Sequence, residues 1–129
     1  MTQRKALVVD DEFHIVQVVA IKLRNNGFEV LTAENGAIAY QLACEHKPDI
    51  IITDYQMPIL TGVELIEKLR QNAATAGLPV VMLTAREFAI EDDLRQRLCI
   101  SACLSKPFSP REVLATVEDV LKQTASVSL

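Results

Sequence analysis

A chain of 129 residues, half of them hydrophobic and 23% charged, has the length and composition of one globular domain that can bury a core without disulfide or metal staples. Its net charge of −4 argues against a domain that grips nucleic acid through a basic face. No apolar run approaches the roughly 18 residues of a membrane helix, and the four apolar residues after Arg4 and Lys5 are too few for a secretion signal.

The first predicted element is the strand "ALVV" (6–9), which runs straight into Asp10 and Asp11. A helix follows with Ile15, Val16, Val19 and Leu23 on one face and Gly27 as its stop. "FEVL" (28–31) alternates, as an edge strand does. Ile38, Leu42 and Ala43 mark a second helix, ended before Pro48. "IIIT" (50–53) is a third strand and leads into Asp54. Thr61-x-x-Glu64 is a capping box that opens a third helix, with Val63, Ile66 and Leu69 following. "PVVML" (79–83) leads into Thr84. Ile90, Leu94 and Leu98 give a thin fourth helix, and Glu91, Asp92 and Asp93 make its solvated face. "ISACL" (100–104) is followed by Lys106 and Pro107. Ser109-Pro110-x-Glu112 combines an N-cap, a proline at the first helical position and an acid at the third. It starts a fifth helix with Leu114, Val117 and Leu121 inward. Residues 123–129 read as a frayed tail.

Five strand–helix units in a row predict an α/β domain, a (βα)5 doubly wound five-stranded parallel sheet with right-handed crossovers. One domain spans 1–129, with its core at about 4–122. Four of the five runs are continuous or nearly so, as expected of strands covered on both faces. In such a sheet ligands bind beyond the carboxyl ends of the strands. Asp10, Asp11, Asp54, Thr84 and Lys106 therefore converge on one rim. The second strand, ending near Thr32, adds no charge there.

Three clustered carboxylates repel one another unless a cation joins them. Mg²⁺ suits them, because it prefers carboxylate and carbonyl oxygens and accepts phosphate oxygens readily. No softer ligand competes, since His14 reads as a solvated residue of the first helix. With the charge neutralised, one carboxylate can attack a phosphorus centre. Lys106 then supplies counter-charge and Thr84 a hydroxyl for the phosphoryl group. No group in the set is a general base for fast turnover, which favours storing the phosphoryl group. Cys44, Cys99 and Cys103 form no C-x-x-C pair and no zinc spacing with histidine. They read as reduced thiols of a cytoplasmic protein, packed as small hydrophobes.

In this order and spacing, "VVDDE", "DIIITDYQMPILTG", "VVMLTA" and "LSKPF" resemble the receiver domain of two-component response regulators, the chemotaxis-regulator type, over roughly residues 4 to 122. The resemblance implies a flavodoxin-like sheet of order 2-1-3-4-5. It makes Asp54 the phosphoacceptor, Asp11 a direct Mg²⁺ ligand, Asp10 a ligand acting mainly through water, and the backbone carbonyl of Gln56 the third protein oxygen. Thr84 and Lys106 become the hydroxyl and the cation that meet the phosphoryl group, and the Lys106–Pro107 bond becomes cis. Met57, Pro58 and Gly62 match the loop after the phosphoacceptor, and the side chains of Gln56 and Arg86 flank the attacking water.

The phosphoryl donor implied is a histidine kinase or phosphotransfer protein. The domain would catalyse only its own phosphorylation and dephosphorylation, so it is a signalling domain and not an enzyme with a separate substrate. Its output would be a protein partner on the face of the fourth helix, fifth strand and fifth helix, with no direct contact to nucleic acid or membrane. A monomer or weak dimer is expected, because Thr116 and Glu118 stand where relatives that dimerise through the fourth and fifth helices carry Arg. Two departures stand out. Cys103 occupies the position of the family's aromatic switch residue, three before the lysine, and "LCISAC" lacks the small-acidic turn common in relatives.

Two alternatives remain. One is a degenerate receiver that serves as a phosphorylation-independent scaffold. The other is a phosphatase of the aspartyl-phosphate type, which would carry acids one residue apart and a cap domain. Here the acids are adjacent. A nucleotide or flavin binder is disfavoured, because no Gly-rich loop follows the first strand.

Overall fold

The computed structural model describes residues 3–85 and 91–127. Strands and helices alternate: β1 Lys5–Val9, α1 Phe13–Arg24, β2 Glu29–Ala33, α2 Gly36–His46, β3 Ile50–Asp54, α3 Gly62–Gln71, β4 Val80–Ala85, α4 Asp92–Arg97, β5 Ala102–Lys106 and α5 Pro110–Val127. The five strands form one sheet in the order β2-β1-β3-β4-β5, and every pair is parallel. The alternating run "FEVL" does lie at an edge.

Parallel strands need both faces covered, and the sequence supplies two apolar layers. Ala6, Val8, Ile50, Ile52, Val81 and Leu83 point toward α1 and α5, where Val16, Val19, Leu23, Val113 and Val117 meet them. Leu7, Val9, Ile51, Val80 and Met82 point the other way, toward Ala39 and Ala43 of α2 and Leu65, Ile66 and Leu69 of α3. Each fully buried Leu, Ile or Val contributes roughly 1.5–3 kcal/mol. The shared register brings the carboxyl ends level: Val9 lies opposite Ala33 and Thr53, Asp54 opposite Leu83, and Thr84 opposite Ser105.

The predicted capping box at Thr61 forms, and the N-cap and acid predicted at Ser109 and Glu112 pair in the same way. The Thr61 hydroxyl accepts from the Glu64 N–H at 3.2 Å and the Glu64 carboxylate accepts from the Thr61 N–H at 2.9 Å. Ser109 and Glu112 repeat the pattern at 3.1 and 3.0 Å. At the start of α3, a Cβ on Gly62 would lie 2.3 Å from the carbonyl oxygen of Asp54. Only glycine lets this helix begin against the end of β3.

The structure differs from the sequence reading in four places. Ile38 is exposed, because α2 buries the small residues Ala39 and Ala43 against the sheet. Helix α5 buries Val113, Val117 and Val120, with Leu114 and Leu121 flanking the stripe. β5 starts two residues later than expected. Cys99 adopts a positive φ of 54°, Ile100 is buried in the turn, and pairing with β4 begins at Ala102. The stretch expected to fray from residue 123 is helical to Val127. Ile90, placed on the fourth helix from sequence, lies outside the described residues.

Helix α4 has no fully buried side chain, although Leu94 packs against the α2–α3 layer and Leu98, just past the helix, is buried in it. Arg70, on α3, also holds its far end. The guanidinium donates to the carbonyls of Leu98 (2.8 Å), Cys99 (3.2 Å), Leu78 (2.8 Å) and Ala76 (3.0 Å). Arg97 adds an ion pair to Glu67 at 3.4 Å. Among the described residues, no helix is long and apolar enough to cross a membrane.

Candidate functional site

The rim at the carboxyl ends of β1, β3, β4 and β5 gathers the charged groups. Asp10 follows β1 and is buried. Its Oδ1 accepts from the Glu12 N–H at 2.9 Å, where the chain turns into α1. Asp11 beside it is exposed. Asp54 ends β3 and is buried. One oxygen from each of Asp10, Asp11 and Asp54 lies within 4.8 Å of the others.

Lys106, the last residue of β5, reaches across to this group. Its Nζ lies 3.1 Å from Asp10 Oδ2, 3.3 Å from Asp54 Oδ1 and 3.3 Å from Glu12 Oε1. The Lys106–Pro107 peptide bond is cis. Thr84 is buried at the end of β4, one residue past the Leu83 that pairs with Asp54. Gln56 is exposed in the loop after β3. With Met57, Pro58 and Thr61 it walls a cleft of about 560 Å³ that also takes in Asp11, Glu12, Asp54 and Lys106. Arg86 lies outside the described residues.

Electrostatics follow from burial. Loss of water raises the Asp54 carboxyl first, and the Asp10 charge adds to it. Lys106 opposes both, and the net result is a pKa pushed up to about 6. Asp10 is also raised by burial, against the lowering effect of the Glu12 N–H and Lys106. Burial on its own would lower the Lys106 ammonium. The hydrogen bond and charge of Asp10, with Asp54 and Glu12, outweigh that and raise it. Among the described residues, Asp10, Asp54 and Glu12 meet the Lys106 ammonium and Asp11 joins the acidic cluster, so negative charge outweighs positive there. The donors are hard oxygens, a set that suits Mg²⁺ rather than a softer ion.

Sequence reading singled out Asp10, Asp11, Asp54, Thr84 and Lys106, and all five stand at this rim. It passed over Glu12. The available signal was its place, two residues past Asp10 and at the mouth of the same rim. His14 stays exposed on α1, its Nε2 3.8 Å from Glu12 Oε2. Cys103 is half-buried on β5 opposite Met82, packed toward the α2–α3 layer. Burial raises its thiol, only partly offset by Arg95.

A family model described as the response regulator receiver domain matches residues 6–118. The chain is 38% identical over 126 residues to the phosphate regulon transcriptional regulatory protein PhoB of Pseudomonas aeruginosa, covering 96% of this chain and 54% of that protein. It is 39% identical over 121 residues to the alkaline phosphatase synthesis transcriptional regulatory protein PhoP of Bacillus subtilis, covering 94% and 50%. The chain spans about half the length of these curated relatives. Among solved structures, the chemotaxis response regulator CheY4 of Vibrio cholerae superposes with a TM-score of 0.85 at 34% identity, over 92% of this chain and 99% of that one.

Proposed function

The chain belongs to the response regulator receiver family, and from that premise we propose that it accepts a phosphoryl group on Asp54 in a Mg²⁺-dependent reaction and thereby switches its binding to another protein. The observation that carries this reading is the placement of Asp54. It is a buried carboxylate at the floor of an open cleft, with Asp10 and Asp11 on one side and Lys106 on the other.

Asp10, Asp11, Asp54 and the backbone carbonyl of Gln56 would hold the metal, Asp11 directly and Asp10 mainly through water. When bound, Mg²⁺ neutralises the carboxylates and the phosphoryl oxygens. The chain's own groups do the rest. An Asp54 oxygen forms the new bond to phosphorus as the bond to the donor atom breaks, and the donor leaves with that electron pair. Lys106 offers its ammonium to a phosphoryl oxygen, and the Thr84 hydroxyl donates a hydrogen bond to another. Among the described residues no histidine lines the cleft, and storage of the phosphoryl group is the reading adopted over rapid hydrolysis. Gln56, which lines the cleft, is placed to influence how long the phosphoryl group lasts.

Histidine-kinase partners and downstream targets are general to the family. For this chain, the donor is a histidine kinase or phosphotransfer protein. The target is a protein that docks on the face of α4, β5 and α5. The domain is one unit over 1–129, cytoplasmic, a monomer or weak dimer, without direct nucleic-acid or membrane contact and without a separate substrate.

Incubation with Mg²⁺ and acetyl phosphate, read by intact mass, tests this. One phosphoryl adduct is expected, lost in Asp54→Asn and with chelator. No adduct from acetyl phosphate or any kinase overturns the reading. That outcome would favour a scaffold independent of phosphorylation, the alternative that the non-aromatic Cys103 supports. Steady turnover of a generic phosphate ester would point to a phosphatase.

A further inference from the structure

An ammonium carries three N–H donors and no acceptor, and Lys106 meets three carboxylates: Asp10 at 3.1 Å, Glu12 at 3.3 Å and Asp54 at 3.3 Å. Two of its donors are committed before any phosphoryl group arrives, to Asp10 and Glu12, and its charge is shared with Asp54 as well. To turn fully to a phosphoryl oxygen, Lys106 must give something up, and the three partners do not cost the same. The Asp10 side chain has no solvent exposure and that of Asp54 only 9%, so losing the ammonium would strand a buried charge. The Glu12 side chain is 48% exposed, and water can take over the contact. Glu12 also stands outside the three carboxylates that a cation would draw together.

A second observation bears on the same pair. Glu12 and Lys106 together line both the acidic cleft and a neighbouring groove of about 420 Å³. That groove is formed by Ile15 and Val18 of α1 with Pro107, Phe108 and Pro110. The ion pair is thus common to the walls of both spaces.

Resting on the phosphoacceptor reading of Asp54, we infer that Glu12 is a positioning residue: it holds Lys106 in the unmodified protein, competes with the phosphoryl group for it, and is the partner released on phosphorylation. Release alters a wall that both spaces share, so the groove beside α1 senses the chemical state of the cleft.

The test compares wild type, E12Q and E34Q for binding of beryllofluoride, a phosphoryl mimic, in the presence of Mg²⁺. Glu34 lines a separate cavity with Asp10 and Asp11 and is not a partner of Lys106. E34Q thus removes one charge from the same rim without freeing the ammonium. E12Q should tighten beryllofluoride binding by about two- to fivefold, the range of a partly exposed ion pair, and E34Q should do so less. The methyl resonances of Ile15 and Val18 should move when wild type takes the mimic and should be displaced already in ligand-free E12Q. Unchanged or weakened binding in E12Q, or an equal gain in E34Q, overturns the inference.

Acetic anhydride labelling of the metal-free protein supplies an arm independent of Asp54. Lys106 should label faster in E12Q than in wild type, and equal labelling also overturns the inference. Failure of the underlying reading looks different. Wild type would then bind no beryllofluoride in a manner that Asp54→Asn abolishes.

Discussion

Asp54→Asn should make the metal-free protein more stable at neutral pH, not less. The carboxyl is buried beside Asp10, and its pKa is pushed up from 3.8 to about 6. An acid whose folded pKa lies above its unfolded value binds its proton more readily when folded. Its favourable contribution is fully present below the unfolded value. It is lost as pH rises from near 4 through about 6, and above that the ionised group is a constant penalty relative to a neutral one. Roughly two pKa units at 1.36 kcal/mol each give a penalty of about 3 kcal/mol at pH 7 and above. Asparagine has the same shape without the charge and removes it. With a urea dependence of about 1.5–3 kcal/mol per molar, the unfolding midpoint should rise by about 1–2 M. Urea titrations followed by circular dichroism from pH 4 to pH 8, in EDTA, measure this directly. The gap between variant and wild type should be close to zero at pH 4 and level off above pH 7. Excess Mg²⁺ should then narrow it, because a ligand at about 100 times its dissociation constant stabilises the native state by about 2.7 kcal/mol, and the intact aspartate binds it better. A variant no more stable than wild type at pH 7.5 without metal, or a gap that ignores pH, refutes the reasoning.

Arg70→Met should cost about 2–4 kcal/mol, because it leaves carbonyls in the α3–β4 connection and beyond α4 without their donor. Amide exchange should accelerate across residues 94–100, and Arg70→Lys should recover less than half the loss, since one ammonium lacks the planar fork. An unchanged thermal midpoint would sink this account of α4. Ile59→Gly should stabilise by about 0.5–1 kcal/mol. Ile59 is β-branched, has a φ of 73° and is 78% exposed, so glycine relieves strain and loses little packing. A lower melting temperature in that variant would contradict it.

The sheet and the acidic rim were legible because they depend on patterns that a sequence carries openly. Continuous apolar runs ended on Asp10, Asp54, Thr84 and Lys106, and parallel strands bring their ends to one edge. The helix faces were less legible. Ile38 suggested an inward stripe, but in α2 the tight approach to the sheet is made by Ala39 and Ala43, and the larger residue is left outside. "ISACL" gave no clue to where β5 starts, because an apolar run does not show which of its residues sits in a turn. Here Cys99 turns the chain through a positive φ and Ile100 is buried before pairing begins. Glu12 and Arg70 were invisible for a different reason. The value of each depends on a partner 94 or 28 residues away, and Arg70 binds main-chain oxygens, which every sequence has.

That last property bears on how such a domain can diversify. Leu98 and Cys99 present only their carbonyls to Arg70, and α4 has no fully buried side chain. The Arg70 part of the joint therefore reads the path of the chain, while Leu94, Leu98 and Ile100 anchor the segment in the apolar layer. The exposed residues of α4 that make no part of this attachment, Asp92, Asp93 and Arg95 among them, can be exchanged with little rebuilding of it. A surface mounted in this way can acquire a new vocabulary of partners while the machinery beneath it stays the same.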